Sequence, residues 1–414
     1  MGWEDLPVEL VHLIVSKNSI GHHDLANLAR VNSCLAGIVP QYLYRDVQFI
    51  SAEPSLESEC KGLARLAKFN RSITRNPSLA RLTRSIAIVT YVEENHAVDC
   101  IWEVLAKLYA LEKLVLSIET EDKLHVVLQR NPLTRLRCVE ICGHLLNLGV
   151  AASYMHLPTI KSLTVEYRSF SRAGRQRSIV ARLPPNMERQ TSLKELTIRV
   201  PSKTISLLPR LISSCPTLTA FAFSIKNPIN VRSERVLLSN ALSFCQETVT
   251  VLELNCEYLE FWEYYDCCPV VLRDMKRLRV LKIDTLFLLS DDDTYSPILR
   301  DDIYQRLPSS LEDLEIRFQR IYGAFETDSP FSAHDVPPDS SPTYKPEHLT
   351  WLLQIGMNKE IHLPNLVHVC IRESNVSLPS PCKVSNLPAE IEVPFCEAGI
   401  EIELFLLPSD SRPF

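Results

Sequence analysis

Residues 278–283 read LRVLKI, and the spacing of their apolar side chains, L-x-x-L-x-L, recurs along most of the chain. The same phrase stands at LEKLVL (111–116), LRCVEI (136–141), IKSLTV (160–165), LKELTI (193–198), LTAFAF (218–223), VTVLEL (249–254), LEDLEI (311–316) and LVHVCI (366–371). A weaker copy, TRSIAI, occupies 83–88. The fourth positions are residues 86, 114, 139, 163, 196, 221, 252, 281, 314 and 369, spaced 24 to 33 apart until a last step of 55. Phrases at nearly one period are a structural repeat. The long last step holds either an insertion or a further repeat.

Alternation of apolar and polar residues inside each phrase marks a strand. Between phrases lie amphipathic helical patterns: DCIWEVLAKLYA, EDKLHVVLQRN, ISLLPRLISSC, ERVLLSNALSFC, SPILRDDIYQRL and PEHLTWLLQIG. Several stop before a proline, as in RNPLTRL and SCPTLTAF, because proline lacks the amide that continues a helix. Strand then helix at this period predicts an α/β solenoid with a parallel inner sheet. The pattern resembles the leucine-rich-repeat family from about residue 83 to 373 and on to GIEIELFLL at 399–407, so the solenoid is assigned to 83–407. One departure stands out. Where that family carries Asn or Cys after each strand, this chain has Glu119, His144, Arg168, Pro201, Lys226, Glu257, Leu286, Gln319 and Ser374. Without an asparagine ladder the solenoid is expected to be irregular.

Two stretches break the rhythm. Residues 323–348 (GAFETDSPFSAHDVPPDSSPTYKPEH) are rich in Pro, Ser and Asp and are read as a disordered, protruding loop. Residues 374–394 are similar but less polar.

Composition narrows the function. Of 414 residues, 46% are apolar and the net charge is −6, which provides no general basic field for nucleic acid or an anionic membrane. The ten glycines never come closer than Gly143 and Gly149, so neither a dinucleotide-binding glycine fingerprint nor a phosphate-binding P-loop can be built. No apolar run is long enough for a membrane helix, and the opening MGWEDLP lacks the basic lead and apolar core of a signal peptide. The thirteen cysteines are scattered and sit mostly in apolar stretches. They are expected to be buried free thiols of a cytoplasmic or nuclear protein.

The first 47 residues do not follow the repeat. LPVELVHLIVSKN (6–18) places Leu6, Leu10, Leu13 and Ile14 on one helical stripe, with Pro7 in the first turn. Asp24 precedes LANLARVNSCL, which groups Leu25, Leu28, Val31 and Leu35, and a third helix is expected over IVPQYLYRDV, ending at Val47. Three helices in so few residues cannot bury all these side chains alone. Leu-Pro-x-Glu-Leu, then Ile14, then Asp-Leu-x-x-Leu-x-x-Val, then LYRDV, resembles the F-box over residues 4–47. It departs at Cys34, where a larger residue is common. The resemblance implies docking of a Skp-type adaptor, and through it a cullin, by Leu6, Pro7, Leu10, Ile14, Leu25, Leu28 and Val31. The alternative is that this stripe packs only onto the first repeat. Residues 48–82 are read as a helical linker.

If the phrase residues alternate, their polar neighbours line one face of the sheet. The residues assigned there to an unknown protein substrate are Glu140, Glu166, Glu195, Arg199, Glu253, Asn255, Lys282, Asp284, Glu315, Arg317 and Arg372. A merely solvated, mixed-charge face is the competing explanation for any one of them. Cys138, Cys142 and His144 on one strand would span about 20 Å, too far for a single metal ion. Asp291, Asp292 and Asp293 lack the alternation of a calcium loop. No catalytic residue, metal or cofactor is assigned. The expected function is substrate recognition within a cullin-based (SCF-type) ubiquitin ligase; the alternative is a non-catalytic scaffold without ubiquitin transfer.

Overall fold

The computed structural model describes residues 6–16, 20–50, 56–89, 95–117, 133–143, 152, 154–155, 157–167, 191–226, 231–257, 269–290, 300–319, 324–325, 346–374, 381–384 and 387–406. They fall into two compact units, Met1–Pro184 and Pro185–Phe414.

The first unit opens with four short helices, α1 (Val8–Val15), α2 (His22–Leu28), α3 (Ser33–Ile38) and α4 (Pro40–Leu43). Then come β1 (Asp46–Ile50), α5 (Leu56–Arg75), α6 (Pro77–Leu82), β2 (Ser85–Val89), α7 (Asn95–Leu105), β3 (Lys113–Ser117), β4 (Cys138–Gly143) and β5 (Ser162–Tyr167). The five strands pair in chain order, all parallel. Their register aligns Val47 with Ile86, Ile86 with Leu114, Leu114 with Val139 and Val139 with Leu163. The fourth position of every phrase therefore faces the fourth position of the next.

One expectation needs correcting. The third N-terminal helix does not run to Val47 but stops at Leu43, and residues 46–50 form β1. In hindsight YRDVQF (44–49) is a copy of the phrase with aromatic first and sixth positions. Phe49 is buried and packs on Phe69 of α5, with ring centroids 5.4 Å apart. Pairing with β2 satisfies the β1 backbone along 46–50. The repeat thus starts one phrase early and takes residues from both the expected F-box and the linker.

The second unit carries β6 (Glu195–Pro201), a 3-10 turn (Ser202–Leu207), α8 (Leu208–Ser213), β7 (Ala220–Lys226), α9 (Val231–Ser243) and β8 (Val251–Glu257). It continues with β9 (Val280–Asp284), α10 (Thr285–Leu288), α11 (Ile303–Arg306), β10 (Asp313–Gln319), α12 (Pro346–Met357), α13 (Lys359–His362) and β11 (His368–Ser374). Last come β12 (Cys382–Lys383), α14 (Ala389–Glu397) and β13 (Glu401–Leu406). Register runs Leu196, Phe221, Leu252, Leu281, Leu314, Val369 and Ile402 across parallel strands, and the two-residue β12 closes the edge antiparallel to β13. Because β10 pairs directly with β11, the 55-residue step is an insertion.

Two devices hold successive repeats together. The carbonyl at the second phrase position accepts two amides from the next phrase: Arg279 O, for example, takes Glu312 N at 2.8 Å and Asp313 N at 2.9 Å. Arg45, Arg84, Glu112, Arg137, Lys194, Thr219, Thr250 and Glu312 do the same. The second device is apolar. First, fourth and sixth positions are buried in every phrase from 111 onward, and so is a residue three before several of them, such as Leu108, Met275 and Leu363. Each fully buried Leu or Ile contributes roughly 1.5–3 kcal/mol relative to exposure. The result in both units is a leucine-rich-repeat-like α/β arrangement.

The 323–348 loop also needs correcting at its edges. Ala324 and Phe325 are buried. Arg300 donates to Ala324 O at 2.6 Å, Glu373 accepts Ala324 N–H at 3.0 Å and His348 Nδ1 donates to Phe325 O at 2.7 Å. Phe325 also stacks on Trp351 with centroids 6.2 Å apart. An apolar pair whose backbone groups are satisfied this way is ordered despite its polar surroundings. Residues 326–345, the helical pattern at 121–131, Cys267-Cys268 and Asp291–Asp293 lie outside the described residues. Among the described residues, no helix is long and apolar enough to cross a membrane.

Candidate functional site

The N-terminal helices build a small core from Val11, Val15, Leu25, Leu35, Ile38 and Val39, with Leu6, Ile20, Leu28, Ala29, Tyr42 and Leu43 packed against it. Asn32 caps α3 by accepting Leu35 N–H at 2.8 Å, and His12 Nδ1 lies 2.8 Å from the Tyr42 hydroxyl. The inward face of α1 is Val11 and Val15, one turn apart, not the Leu6-Leu10-Leu13-Ile14 stripe. Sequence periodicity identified an apolar helix but not which apolar side faces its neighbours. Leu25 is a second correction. It is 5% exposed and belongs to the core, so it cannot be a direct contact for another protein. Of the other assigned contacts, Leu6, Ile14 and Leu28 are half-buried and Pro7 is exposed. Leu10 and Val31 are 45% and 58% exposed, joined by Val8 and Leu13, which sequence reasoning did not assign.

In the second unit six of the assigned strand residues, Glu253, Asn255, Lys282, Glu315, Arg317 and Arg372, form one charged network. Adjacent strands carry Glu253, Lys282, Glu315, Cys370 and Glu403 in one row, from β8 to β13. Lys282 Nζ lies 3.7 Å from Glu315, and Arg317 reaches Glu315 at 2.8 Å and Glu253 at 3.0 Å. Arg317 also donates to Asn255, whose amide in turn donates to Glu253 at 2.8 Å. Arg372 Nε stands 3.5 Å from Glu315, with its guanidinium 4.0 Å from the centroid of Phe405. His368 lies 2.8 Å from Asp313 and 3.7 Å from Glu403, and Lys383 pairs with Glu403.

Asp284 is the exception and a correction to the substrate face. It is 3% exposed and turns away to cap α10, accepting Leu286 N–H at 3.1 Å. Arg317, in register with Asp284, extends past β9 to the Glu253–Asn255 pair on β8. Glu195 and Arg199 are exposed on β6. In the first unit Glu140 pairs with Lys113 at 2.6 Å, and Glu166 accepts a long bond from the Cys142 thiol at 3.7 Å. Glu403, Lys383 and Phe405 were missed because a proline-rich stretch breaks the period there; the alternation in GIEIELFLL (399–407) was the one signal, for Glu403 and Phe405 alone.

Electrostatics agree with the geometry. Burial pushes the Glu253 carboxyl up, but hydrogen bonds from Asn255 and Arg317 outweigh it and hold the group below the usual carboxylate range. Lys383 likewise holds Glu403 down. Thiols behave oppositely: burial pushes Cys245 up to about 12, and burial with the nearby Glu315 carboxylate pushes Cys370 up to about 11. Thiols so protonated are poor nucleophiles and poor metal ligands. Cys34, Cys100, Cys138, Cys142, Cys215, Cys245, Cys256, Cys370, Cys382 and Cys396 form no disulfide, and among the described residues no group of three His, Cys, Asp or Glu is placed to hold a metal. The arrangement is a row of mutually paired charges carried by adjacent strands.

No family model matches the chain, and no curated protein matches it. Twenty-four chains of solved structures are similar, among them one in the crystal structure of a TLR13–ssRNA13 complex. That likeness has a TM-score of 0.31 and 12% identity, and covers 72% of this chain and 40% of the other. The chain therefore spans about two-fifths of that protein's length, and its fold rests on its own strand register.

Proposed function

We propose that the chain is a substrate receptor of a cullin-based (SCF-type) ubiquitin ligase. The N-terminal helices, as an F-box, dock a Skp-type adaptor; the charged strand face of the second unit holds a protein substrate. The chain supplies no catalytic residue. It acts by proximity, raising the effective concentration of substrate beside the transfer machinery.

The observation that carries this reading is the split within the first 47 residues. Six apolar side chains fill a core, while Val8, Leu10, Leu13 and Val31 stand 45–59% exposed. Leu10 and Leu13, three residues apart, share one side of α1, and exposed apolar side chains set together in this way are a mark of a protein interface. The test is co-purification of the full chain with a Skp-type adaptor, beside a Leu10→Asp/Val31→Asp variant. Both positions are exposed, so the variant keeps its melting temperature. Adaptor retained by the wild type and lost by the variant supports the receptor. Adaptor bound by neither removes it and leaves a binding protein of another kind.

A further inference from the structure

Helix α5 carries a feature that the adaptor docking does not use. From Lys61 to Val92 the sequence has seven bases and no acid, within a chain of net charge −6. Three of these bases are engaged: Lys61 has an interaction of its own, Arg81 donates to the Tyr109 hydroxyl at 2.8 Å, and Arg84 pairs with Glu112 at 3.2 Å. Arg65, Lys68, Arg71 and Arg75 are different. All four are exposed, and their side chains make no hydrogen bond or ion pair among the described residues. Some bases on the strands and turns have found acids, as in Lys113–Glu140, Lys276–Glu247 and Arg279–Glu312, and others, such as Arg137 and Arg277, stand exposed without one among the described residues; α5 differs in setting four such cations along one side of a helix.

At 3.6 residues per turn these four positions lie within about 120° of one another and extend about 15 Å along the axis. The opposite side of α5 is occupied by Leu66, Phe69 and Ile73, all buried. Its flank is fixed by Lys107, which donates to Asn70 and Thr74, each at 2.7 Å, while Asn70 donates to Glu103 at 2.8 Å. The helix is thus held in one orientation with a row of bare cations outward.

We propose that this ridge is a docking surface for an acidic segment of a protein partner. Three anionic partners differ in what else they require. A bilayer needs an apolar helix face to enter, and the apolar face of α5 is already buried. Nucleic acid bound through its backbone alone engages roughly 6–10 phosphates, more than four cations over one short ridge supply. No aromatic side chain is exposed between Lys61 and Arg75 to stack a base. An acidic peptide needs only carboxylates at matching spacing. Arg75, in the last turn, also complements the helix dipole, so Arg65 and Lys68 are the positions to test.

The experiment uses the full chain and a fluorescein-labelled oligo-glutamate peptide of about ten residues, long enough to span the ridge. Binding is read by anisotropy at about 0.05 M and about 0.3 M salt. The wild type binds at low salt. Arg65→Glu/Lys68→Glu weakens binding at least about tenfold, while Arg65→Lys/Lys68→Arg stays within about twofold, as charge steering requires. All three proteins keep one melting temperature. Equal binding by the charge-reversed variant overturns the proposal. So does ridge-dependent binding of duplex DNA or of phosphatidylserine vesicles that is tighter than that of the peptide. Adaptor docking through Leu10 and Val31 is read separately and can fail without touching this result.

Discussion

The N-terminal helices and the repeats are built from similarly apolar sequence, yet they treat it differently. In the repeats, a phrase is covered by the phrases beside it and by its own helix or turn, and Leu281 is fully buried. In α1, Val11 and Val15 are covered, while Leu10 and Leu13 are left 45% and 59% exposed. Apolar spacing tells which side chains gain from burial; topology decides whether the chain itself supplies the cover. The sharpest way to break this contrast is Leu281→Ala. Loss of transfer energy plus a cavity in the middle of the β8–β9–β10 stack costs about 2–5 kcal/mol, measured by urea unfolding. A loss under about 1 kcal/mol would mean that the register does not carry the stability.

The second unit adds charge to the contrast. On the strand face, polar side chains satisfy one another, and Arg317 is the hub, its side chain 21% exposed beside Glu315 at 13%. Arg317→Ala removes a charged donor shared by Glu315 and Glu253 and costs about 1.5–3 kcal/mol at neutral pH. The sign of the pH dependence follows from Glu253, whose carboxyl is held low in the fold. A depressed carboxylate gives stability that is present above its unfolded value, about 4, and is lost as pH falls through the folded value. The gap between wild type and Arg317→Ala therefore narrows from pH 5 downward in paired denaturation curves. A gap that widens in acid would exclude Arg317 as the group stabilising that carboxylate.

Within the N-terminal helices, the comparison can be sharpened at the cap of α3. Asn32 Oδ1 satisfies Leu35 N–H, and Leu35 is itself a buried core residue. Asn32→Ala should cost about 1 kcal/mol, seen as a lower urea midpoint with an unchanged slope. No change would mean that the α3 terminus is satisfied in another way.

Much of this was legible in the residues. The phrase located every strand from β2 to β11, and its fourth positions proved to be the register itself. What escaped was whatever left the leucine pattern. YRDVQF hid β1 behind aromatic residues, and Glu403 and Lys383 sat beyond a proline-rich break. Asp284 was assigned to the open face by alternation alone, but a side chain at a strand end can cap the following turn instead. Leu25 shows the same limit in a helix: periodicity gives a face, and only the neighbours say whether that face is inside.

The smallest expected effect tests the contrast most directly. Leu10→Ala removes the same carbon atoms as Leu281→Ala, from a side chain that is already 45% exposed instead of fully buried. Truncation there forms no closed cavity, so the cost to the isolated chain stays within about 0.5 kcal/mol. Any larger energetic consequence must then appear only when something covers α1. If Leu10→Ala instead destabilises the free chain by about 2 kcal/mol or more, the leucine is already packed in solution. The exposed face of the N-terminal helices would then be internal, and the difference between the two regions would disappear.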